Sequence, residues 1–281
     1  EAQYDVIRKK NWNWSVGFNL SHNKNMLRKT YNGEDLNDKV LGRPVYGIYT
    51  FKDEGIVQKE EDIPMYLNAS GKQIPLYFQS INNPLRVGGR KIKDQNYDGV
   101  IDDKDLYYAG STLPAVYGGL NSHLEWKGLS FDVLFSYTIS RKVMNMYKNS
   151  AFTFTKDFGV IMNYFHAGDF WTTSNRDAKY PSLEFADKDY VGQFDGNVDS
   201  NIENISFLRL KQLVIGYQIP KNWLKGSFIK DANVYLSGEN LFLLTNYSGV
   251  DPEIINPYSG KDDGTQYPLN RKVTLGLNLK F

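Results

Sequence analysis

The chain has 281 residues, a net charge of +1 and no cysteine. The absence of cysteine excludes disulfide bonds and thiol chemistry, and the balanced charge gives no support for binding of nucleic acid. Aromatic residues make up 15% of the chain, which contains 20 tyrosines and 24 glycines. This composition is typical of strands joined by turns, so it predicts an all-β fold.

The first residues, 1–8, resemble the middle of a strand, and they contain neither an initiator methionine nor the basic and apolar regions of a signal peptide. We therefore expect that residue 1 is not a natural start and that the chain is the C-terminal part of a longer protein. No run of about 18 apolar residues is present, so no transmembrane helix is expected.

Alternation of apolar and polar residues is the main signal of secondary structure in this chain. The pattern is clearest at the C-terminus, in residues 272–281, where every second residue from Val273 to Phe281 is apolar. Between residues 205 and 219 the apolar parity changes, which predicts a β-bulge near Lys211 and Gln212. The pattern predicts strands near residues 2–9, 12–22, 116–126, 130–139, 205–219, 232–242 and 272–281.

The connections between these strands alternate strictly between short and long. Tight periplasmic turns and large extracellular loops give a bacterial outer-membrane barrel this signature, whereas the loops of a β-sandwich have no reason to alternate. A half-buried strand of a soluble sandwich remains the alternative for any single segment. The predicted extracellular loops are residues 23–115, 140–204 and 243–271.

Aromatic residues fall at both ends of the predicted strands, as they do at the two interfaces of a membrane. If Phe281 lies at the periplasmic rim, the predicted topology places Trp12, Trp126 and Tyr217 at the same rim. Tyr137 and Phe242 then lie at the outer rim. Two aromatic girdles are therefore expected.

An acidic segment in the longest loop, residues 94–105, has the spacing of an EF-hand-type calcium loop. Oxygen donors occupy positions 1, 3, 5, 9 and 12, and Gly99 at position 6 permits the sharp turn. Position 12 is an aspartate, whose short side chain favours modest affinity. We expect a structural calcium ion that closes the loop, with a solvated acidic turn as the alternative. The predicted ligands are Asp94, Asn96, Asp98, the carbonyl of Val100, Asp102 and Asp105.

Residues 160–185 contain several aromatic side chains among polar ones. Exposed aromatic rings of this kind stack on sugars or peptides, although rings that pack inside a loop look the same in sequence. The weak candidates for substrate binding are Tyr164, His166, Phe170 and Trp171.

The sequence offers little support for an enzyme. The three histidines, His22, His123 and His166, have no metal-ligand spacing. No nucleophile elbow, P-loop or dinucleotide fingerprint is present. We therefore expect no catalytic residues.

Several segments, taken in order, carry a resemblance to a known family. They include the acidic loop with Gly110 and Pro114 after it, and a run from Asn240-Leu-Phe to Asp251-Pro-Glu. Further matching segments are residues 45–49, Glu54-Gly-Ile, residues 206–217 and Tyr267-Pro. Together they resemble the C-terminal third of a SusC/RagA-type TonB-linked outer-membrane transporter. Tyr97 departs from the family, which more often has glycine at that position.

The resemblance implies the C-terminal part of a 22-stranded antiparallel transmembrane β-barrel. It also implies a plug domain in the N-terminal part of the same transporter, which is not present in these residues. A SusD-like surface lipoprotein would cover the barrel and capture glycans or peptides, and the TonB complex would act through the plug. The chain itself would supply barrel wall, in contact with outer-membrane lipid, and extracellular loops.

Two other functions remain open from the sequence. One is a soluble calcium-dependent carbohydrate-binding β-sandwich of a secreted protein. The other is a passive porin or adhesin barrel.

Overall fold

The computed structural model describes residues 1–36, 39–146, 166–186 and 197–281. The described strands are β1 (Ala2–Lys9), β2 (Trp12–Ser21), β3 (Gly47–Thr50), β4 (Asp53–Ile56), β5 (Met65–Leu67), β6 (Gln73–Pro75), β7 (Tyr77–Phe78), β8 (Arg90–Ile92), β9 (Val100–Ile101), β10 (Tyr107–Ser111), β11 (Val116–Trp126), β12 (Leu129–Asn145), β13 (Ile202–Gln218), β14 (Asp231–Thr245), β15 (Lys261–Asp262) and β16 (Lys272–Lys280). Short 3₁₀ turns lie at Glu60–Asp62, Asp103–Asp105, Ala167–Asp169, Leu183–Ala186, Asp199–Asn201 and Lys221–Trp223. No helix in the described ranges is long and apolar enough to cross a membrane.

The long strands form one antiparallel sheet in the order β1-β2-β11-β12-β13-β14-β16, and the short β15 pairs with β12. Each long strand after β1 is hydrogen-bonded to the long strand that precedes it in sequence, so the sheet is an up-and-down meander. The links between β1 and β2, β11 and β12, and β13 and β14 are short, whereas the other links are long. The sheet is therefore all-β and antiparallel, as predicted, and all its long connections lie at one end.

The register of the sheet contains the predicted bulge. The pairing of β13 with β14 shifts between Leu210 and Gln212, and the pairing of β12 with β13 shifts at the same place. In the pairing with β14 the extra residue lies in β14, between Glu239 and Phe242. In the pairing with β12 the extra residue is Lys211, so the prediction of a bulge near Lys211 and Gln212 is confirmed. The parity change in the sequence follows from this residue, which returns the apolar side chains on both sides of the bulge to one face.

One face of the main sheet is apolar and uncovered. In β16 the side chains of Val273, Leu275 and Leu277 are 67%, 75% and 57% exposed. Leu277 lies opposite Val234 of β14, so the apolar surface continues from strand to strand. A contiguous apolar surface of this kind marks contact with a membrane or a partner.

The opposite face of the sheet is polar and lined with small residues. Gly276 pairs with Tyr235, and a Cβ atom at Gly276 would lie 2.1 Å from the ring carbon Cζ of Tyr235. The tyrosine ring therefore lies over the glycine. Asn278 and Thr274 continue this face along β16.

Aromatic pairs lie at both ends of the sheet. At the short-turn end, the ring centroids of Trp12 and Trp126 are 6.3 Å apart, and Phe281 stacks on Phe228 at 5.5 Å. At the long-loop end, Tyr137 stacks on Phe18 with an interplanar angle of 2°. These aromatic pairs therefore lie at the two ends of the sheet, where the two aromatic girdles are expected.

A large buried cluster among the described residues lies mainly in the first long loop, with Val198 from the second, and not on the main sheet. Four small two-stranded sheets, β10-β3, β4-β8, β5-β6 and β7-β9, fold within residues 47–111. They enclose a core that the alternation of the long strands does not reveal. The core consists of Val57, Ile63, Leu76, Phe78, Leu85, Ile92, Ile101 and Val198.

A second cluster attaches the third long loop to the sheet. The ends of β12 and β13 extend beyond the predicted limits 139 and 205, and their residues Val143 and Ile205 pack with Tyr247 and Ile255. The loop is therefore anchored by apolar contacts to strand ends that rise above the rest of the sheet.

Buried charges reinforce this anchor. Arg209 of β13 forms an ion pair with Asp251, and both side chains are nearly inaccessible, at 3% and 4% exposure. Arg209 Nε also lies 2.7 Å from a carboxylate oxygen of Glu253, which pairs in turn with Lys211. Since a buried charge is costly without a partner, these pairs fix the loop at one position over the sheet.

Candidate functional site

A cleft of about 460 Å³ lies between the first and third long loops. Residues 45–49 form one wall, and Tyr258, Ser259 and Lys261 form the other. The rings of Tyr46 and Tyr258 meet with their centroids 5.3 Å apart and their planes inclined at 58°. A concave volume of this size, with aromatic walls and a few polar groups, is typical of small-molecule sites.

Arg141 of β12 holds the two loops that form the cleft. Its Nε donates to the carbonyl of Thr112 at 2.9 Å, and its Nη2 donates to the carbonyls of Ile255 and Asn256 at 3.3 and 3.2 Å. The Thr112 hydroxyl also donates to the carbonyl of Pro257 at 3.0 Å. Because the guanidinium is buried and binds carbonyls of both loops, it fixes their separation.

Gly260 allows the third loop to approach the first. Its φ is +66°, and a Cβ atom there would lie 2.5 Å from Cγ2 of Thr112. Glycine is the residue that accepts both the left-handed backbone and the close contact. The next residue, Lys261, begins β15 and lies opposite Met144 of β12. The backbone of Lys261 is therefore held at the cleft by the sheet.

Charged side chains of both signs are among the described residues that line the cleft. Lys39, Lys261 and Asp103 line it. Nearby, the guanidinium of Arg43 lies 5.1 Å from the ring centroid of Tyr108. Burial raises the pKa of the Tyr108 hydroxyl above its ordinary value, although the charge of Arg43 opposes this shift.

Sequence reasoning did not find this cleft. Residues 45–49 contribute to the family resemblance, but nothing in them indicates that they meet residues 258–261 of another loop. The exposed Tyr258 is one of many tyrosines, and only the fold distinguishes it.

The acidic loop is closed in the structure by its own hydrogen bonds. The carboxylate of Asp94 accepts the backbone N–H groups of Tyr97 at 2.6 Å and Gly99 at 2.8 Å. The carboxylate of Asp105 accepts those of Gln95 at 2.8 Å and Asp102 at 2.9 Å. Both aspartates are buried, and neither forms an ion pair with a cationic side chain of the described residues. Burial, with a smaller effect of the Asp94 charge, raises the pKa of Asp105.

The other predicted calcium ligands are directed elsewhere. Asn96 donates to Asp98 at 2.9 Å, and Asp98 accepts the N–H of Val100 at 3.0 Å. Lys104 Nζ lies 3.8 Å from Asp98 and 3.5 Å from Asp102. Across the described ranges, no group of three or more histidine, aspartate or glutamate side chains is arranged to hold a metal ion.

The donor set of this loop consists of oxygen atoms, which suits calcium. Binding would require the carboxylates of Asp98 and Asp102 to turn away from Lys104. The calcium site therefore stays a prediction.

The aromatic candidates for substrate binding have different environments. Tyr164 lies outside the described residues. His166 is exposed, and its backbone N–H donates to Asp169 at 2.8 Å. Phe170 and Trp171 are only 3% and 7% exposed.

The two buried rings help to hold the loops together. Trp171 Nε1 donates to Gln58 at 3.0 Å, and its ring lies so close to Gly88 that a Cβ atom there would be 2.6 Å from Cε3. Phe170 packs on Tyr180, with centroids 5.8 Å apart. Their burial favours the alternative that these rings pack within the loops, and their role in binding stays a prediction.

Comparison with known proteins identifies related sequences and folds, although no protein-family model matches the chain. The TonB-dependent receptor P26 of Formosa agariphila is 30% identical over 288 residues, which cover 98% of this chain and 28% of that protein. The TonB-dependent receptor SusC of Bacteroides thetaiotaomicron is 26% identical over 276 residues, covering 97% of this chain and 25% of SusC. The chain thus spans about a quarter of the length of these relatives.

A solved structure of the RagAB peptide transporter has the same fold, with a TM-score of 0.67 and 22% identity over 99% of this chain and 28% of that one. The RagAB peptide importer in its open-open state gives a TM-score of 0.64 and 23% identity, with the same coverage. These matches agree with the apolar outer face, the meander and the long loops of the sheet. The predicted resemblance is confirmed: over nearly its whole length the chain is similar to part of the β-barrel of SusC/RagA-type TonB-dependent receptors, which are outer-membrane proteins.

Proposed function

We propose that the chain supplies barrel wall and extracellular loops to a receptor that actively imports oligosaccharides or peptides. The observation that carries this proposal is the division of the molecule into two parts. One part is a single-layered sheet with an exposed apolar face. The other is a layer of folded loops at one end of the sheet, with an open cleft between them. A wall in lipid joined to a binding surface outside it suits an importer, and it needs no catalytic residue.

The proposed partners act at the two ends of the barrel. A SusD-like lipoprotein would sit on the extracellular loops and deliver the nutrient. The remaining N-terminal part of the same receptor would complete the barrel and contribute a plug, through which the TonB complex would supply energy. The similarity to SusC and to the RagAB peptide transporter supports this arrangement.

Uptake by cells that contain the intact receptor tests the proposal. Deletion of the receptor should abolish uptake of its nutrient, and so should collapse of the proton gradient by a protonophore, because the plug must be pulled by an energised complex. Uptake that depends on the receptor but persists without the gradient would identify a passive porin instead.

Purification from outer membranes tests the partnership separately. A surface lipoprotein should remain with the intact receptor in mild detergent, in comparable amount. A receptor that is isolated alone, from membranes in which the lipoprotein is present, would contradict the partnership. It would leave the barrel assignment untouched.

We also propose that the acidic loop binds a structural calcium ion. The burial of two carboxylates, Asp94 and Asp105, without a cationic partner among the described residues supports it. Calorimetric titration of the intact receptor with calcium should give a saturable heat of binding, and calcium should raise its melting temperature. The Asp98→Ala variant should lose both effects, while Asp263→Ala, in the third loop, should keep them. Equal responses in all three proteins would refute the proposal.

A further inference from the structure

We propose that the short-turn end of the main sheet binds an anionic phospholipid, whose headgroup contacts lysines of the turns and whose acyl chain lies in a groove of the apolar face. The inference goes beyond the proposed function, because it concerns the lipid around the barrel and not the nutrient. It is carried by an open apolar groove that ends at turns rich in lysine.

The groove has a volume of about 380 Å³ and lies on the apolar face of the sheet. Directly opposed residues of neighbouring strands share a face, and the pairs Leu129 with Tyr217 and Ile215 with Leu236 are of this kind. The residues of this face that line the groove are Leu129, Ile215, Tyr217, Val234, Leu236 and Leu275. Because this face contacts lipid, an acyl chain is the component of the membrane that fills such a groove.

The groove reaches the turn between β11 and β12. Leu129 is the first residue of β12, and Tyr217 is the last but one of β13. A Cβ atom at Gly128 would lie 3.7 Å from Cε2 of the Tyr217 ring, so this ring contacts the turn. The N–H of Gln218 also donates to the carbonyl of Gly128 at 2.8 Å. The backbone of Lys127, the residue before Gly128, therefore lies at the end of the groove.

The side chain of Lys127 is held on the lipid side of the turn. Its Nζ lies 5.6 Å from the ring centroid of Trp126, and Trp126 lies opposite Leu129 on the apolar face. The contact with the ring uses the charge of the ammonium group but no conventional hydrogen-bond acceptor, so its three N–H donors remain for the oxygens of a phosphate. The turn does not itself call for a lysine, since its φ is +50° and such positions favour asparagine, aspartate or glycine.

The turn between β13 and β14 adds charge and exposed aromatic rings beside the groove. Lys221 and Lys225 are exposed, and Trp223 between them is 73% exposed. Phe228 stacks on Phe281, which continues the apolar parity of β16. Tryptophan and lysine are the residues that anchor a protein at the level of the lipid headgroups. This turn therefore has the composition of a segment that lies at the membrane interface.

The short turns carry positive charge without acidic residues. Their lysines, in residues 10–11, 127–128 and 219–230, are Lys10, Lys127, Lys221, Lys225 and Lys230, and these turns contain no aspartate or glutamate. The nearest carboxylates in sequence, Glu125 and Asp231, lie on the polar face, where they accept hydrogen bonds from Asn13 and Gln218. A phosphate at the groove would therefore gain charge-assisted hydrogen bonds, and an anionic lipid would be attracted more than a zwitterionic one.

The lysines at the groove lie away from the open edges of the sheet. Lys127 is carried by β11 and β12, and Lys221 and Lys225 by β13 and β14, and each of these strands is paired on both sides. The remaining barrel would join at β1 and β16, the two ends of the strand order. It would leave the outer side of these turns facing lipid.

Competition between two lipids for the purified intact receptor tests this inference. Delipidated receptor in detergent is offered equal amounts of phosphatidylglycerol and phosphatidylethanolamine with the same acyl chains, and the bound lipid is identified by native mass spectrometry. We expect phosphatidylglycerol to be retained in preference. Its water-soluble headgroup, glycerophosphoglycerol, should bind far more weakly, because it lacks the chain that occupies the groove.

Three variants and one control locate the site. Lys127→Gln and Lys221→Gln should each weaken the tightest binding of phosphatidylglycerol by about fivefold, the scale of one lysine near an anionic membrane surface, and leave phosphatidylethanolamine nearly unchanged. Val234→Trp, which fills the groove, should weaken both lipids. Lys72→Gln removes an exposed lysine from the β5-β6 hairpin in the loops and should change neither.

Four results would overturn the inference. The first is equal retention of the two lipids, and the second is an equal response to Lys127→Gln and Lys72→Gln. The third is unchanged binding in Val234→Trp. The fourth is binding of glycerophosphoglycerol or of an oligoglutamate as tight as that of the lipid, which would identify a soluble anion or an acidic protein segment as the ligand. None of these results bears on nutrient uptake, which is tested separately.

Discussion

Replacement of Leu277 by arginine places a charge on the face that contacts lipid. Leu277 lies four residues before Phe281, which is about 13 Å along a strand and about 10 Å in height when the strand is tilted by about 40°. The apolar band of such a barrel is about 25 Å tall, so Leu277 lies near its middle. Leu277→Arg should therefore destabilise the barrel by about 2–4 kcal/mol.

The neighbouring residue provides the matched control. Asn278 is exposed on the opposite, polar face, so Asn278→Arg should cost far less. The assay is denaturant unfolding of the intact receptor in lipid vesicles, followed by tryptophan fluorescence, together with the amount of receptor assembled in outer membranes. Equal losses for the two variants would refute the assignment of the faces.

Three further predictions concern the packing and charge of other regions. Gly276→Ala should destabilise the barrel by about 1–3 kcal/mol through its clash with the Tyr235 ring, and Tyr235→Ser in the same protein should relieve part of that loss in the unfolding assay. Arg209→Met should cost about 3–5 kcal/mol, because Asp251 keeps a buried charge without its partner; a loss below about 1 kcal/mol in thermal unfolding would contradict this. Burial raises the pKa of Asp199, but hydrogen bonds from a lysine, a backbone N–H and a tyrosine outweigh it, so that the pKa is lowered. The ionised carboxylate of Asp199 therefore stabilises the folded loop above the unfolded pKa of about 3.9, and this stabilisation is lost as the pH falls through the folded pKa. Asp199→Asn should make the rate of loop proteolysis depend less on pH in this range.

The sequence predicted the long strands well because each is a single alternating run. Apolar side chains must face one way along a strand, so a strand such as β11 (Val116–Trp126) is visible without its partners. The bulge at Lys211 was visible for the same reason, since one extra residue reverses the parity. The structure gives longer limits for β12 and β14 than the alternation did. The outer ends of both strands still pair with β13, but they lose the alternation, because β12 ends in a run of buried residues and residues 241–244 of β14 are all apolar.

The interior of the loops could not be predicted in this way. Strands such as β7 (Tyr77–Phe78) are too short to show a period, and they are stabilised by contacts between distant parts of the chain. The burial of Trp171 depends on Gly88 and Gln58, which lie far from it in sequence. The cleft depends likewise on Arg141. Its hydrogen bonds to three backbone carbonyl groups cannot be recognised from the sequence, because every residue has a carbonyl group.

The central claim is that the strands cross a membrane with one face in lipid and the other in the lumen. Single cysteines can be placed at positions 273, 274, 275, 277, 278 and 279 of the intact receptor, in a background from which any other cysteine has been removed, and spin-labelled; this chain itself contains none. We predict that labels at residues 273, 275, 277 and 279 are accessible to oxygen in the lipid, and that labels at 274 and 278 are accessible to a water-soluble relaxation agent. Accessibility that does not alternate, or that alternates with the opposite parity, would contradict the account.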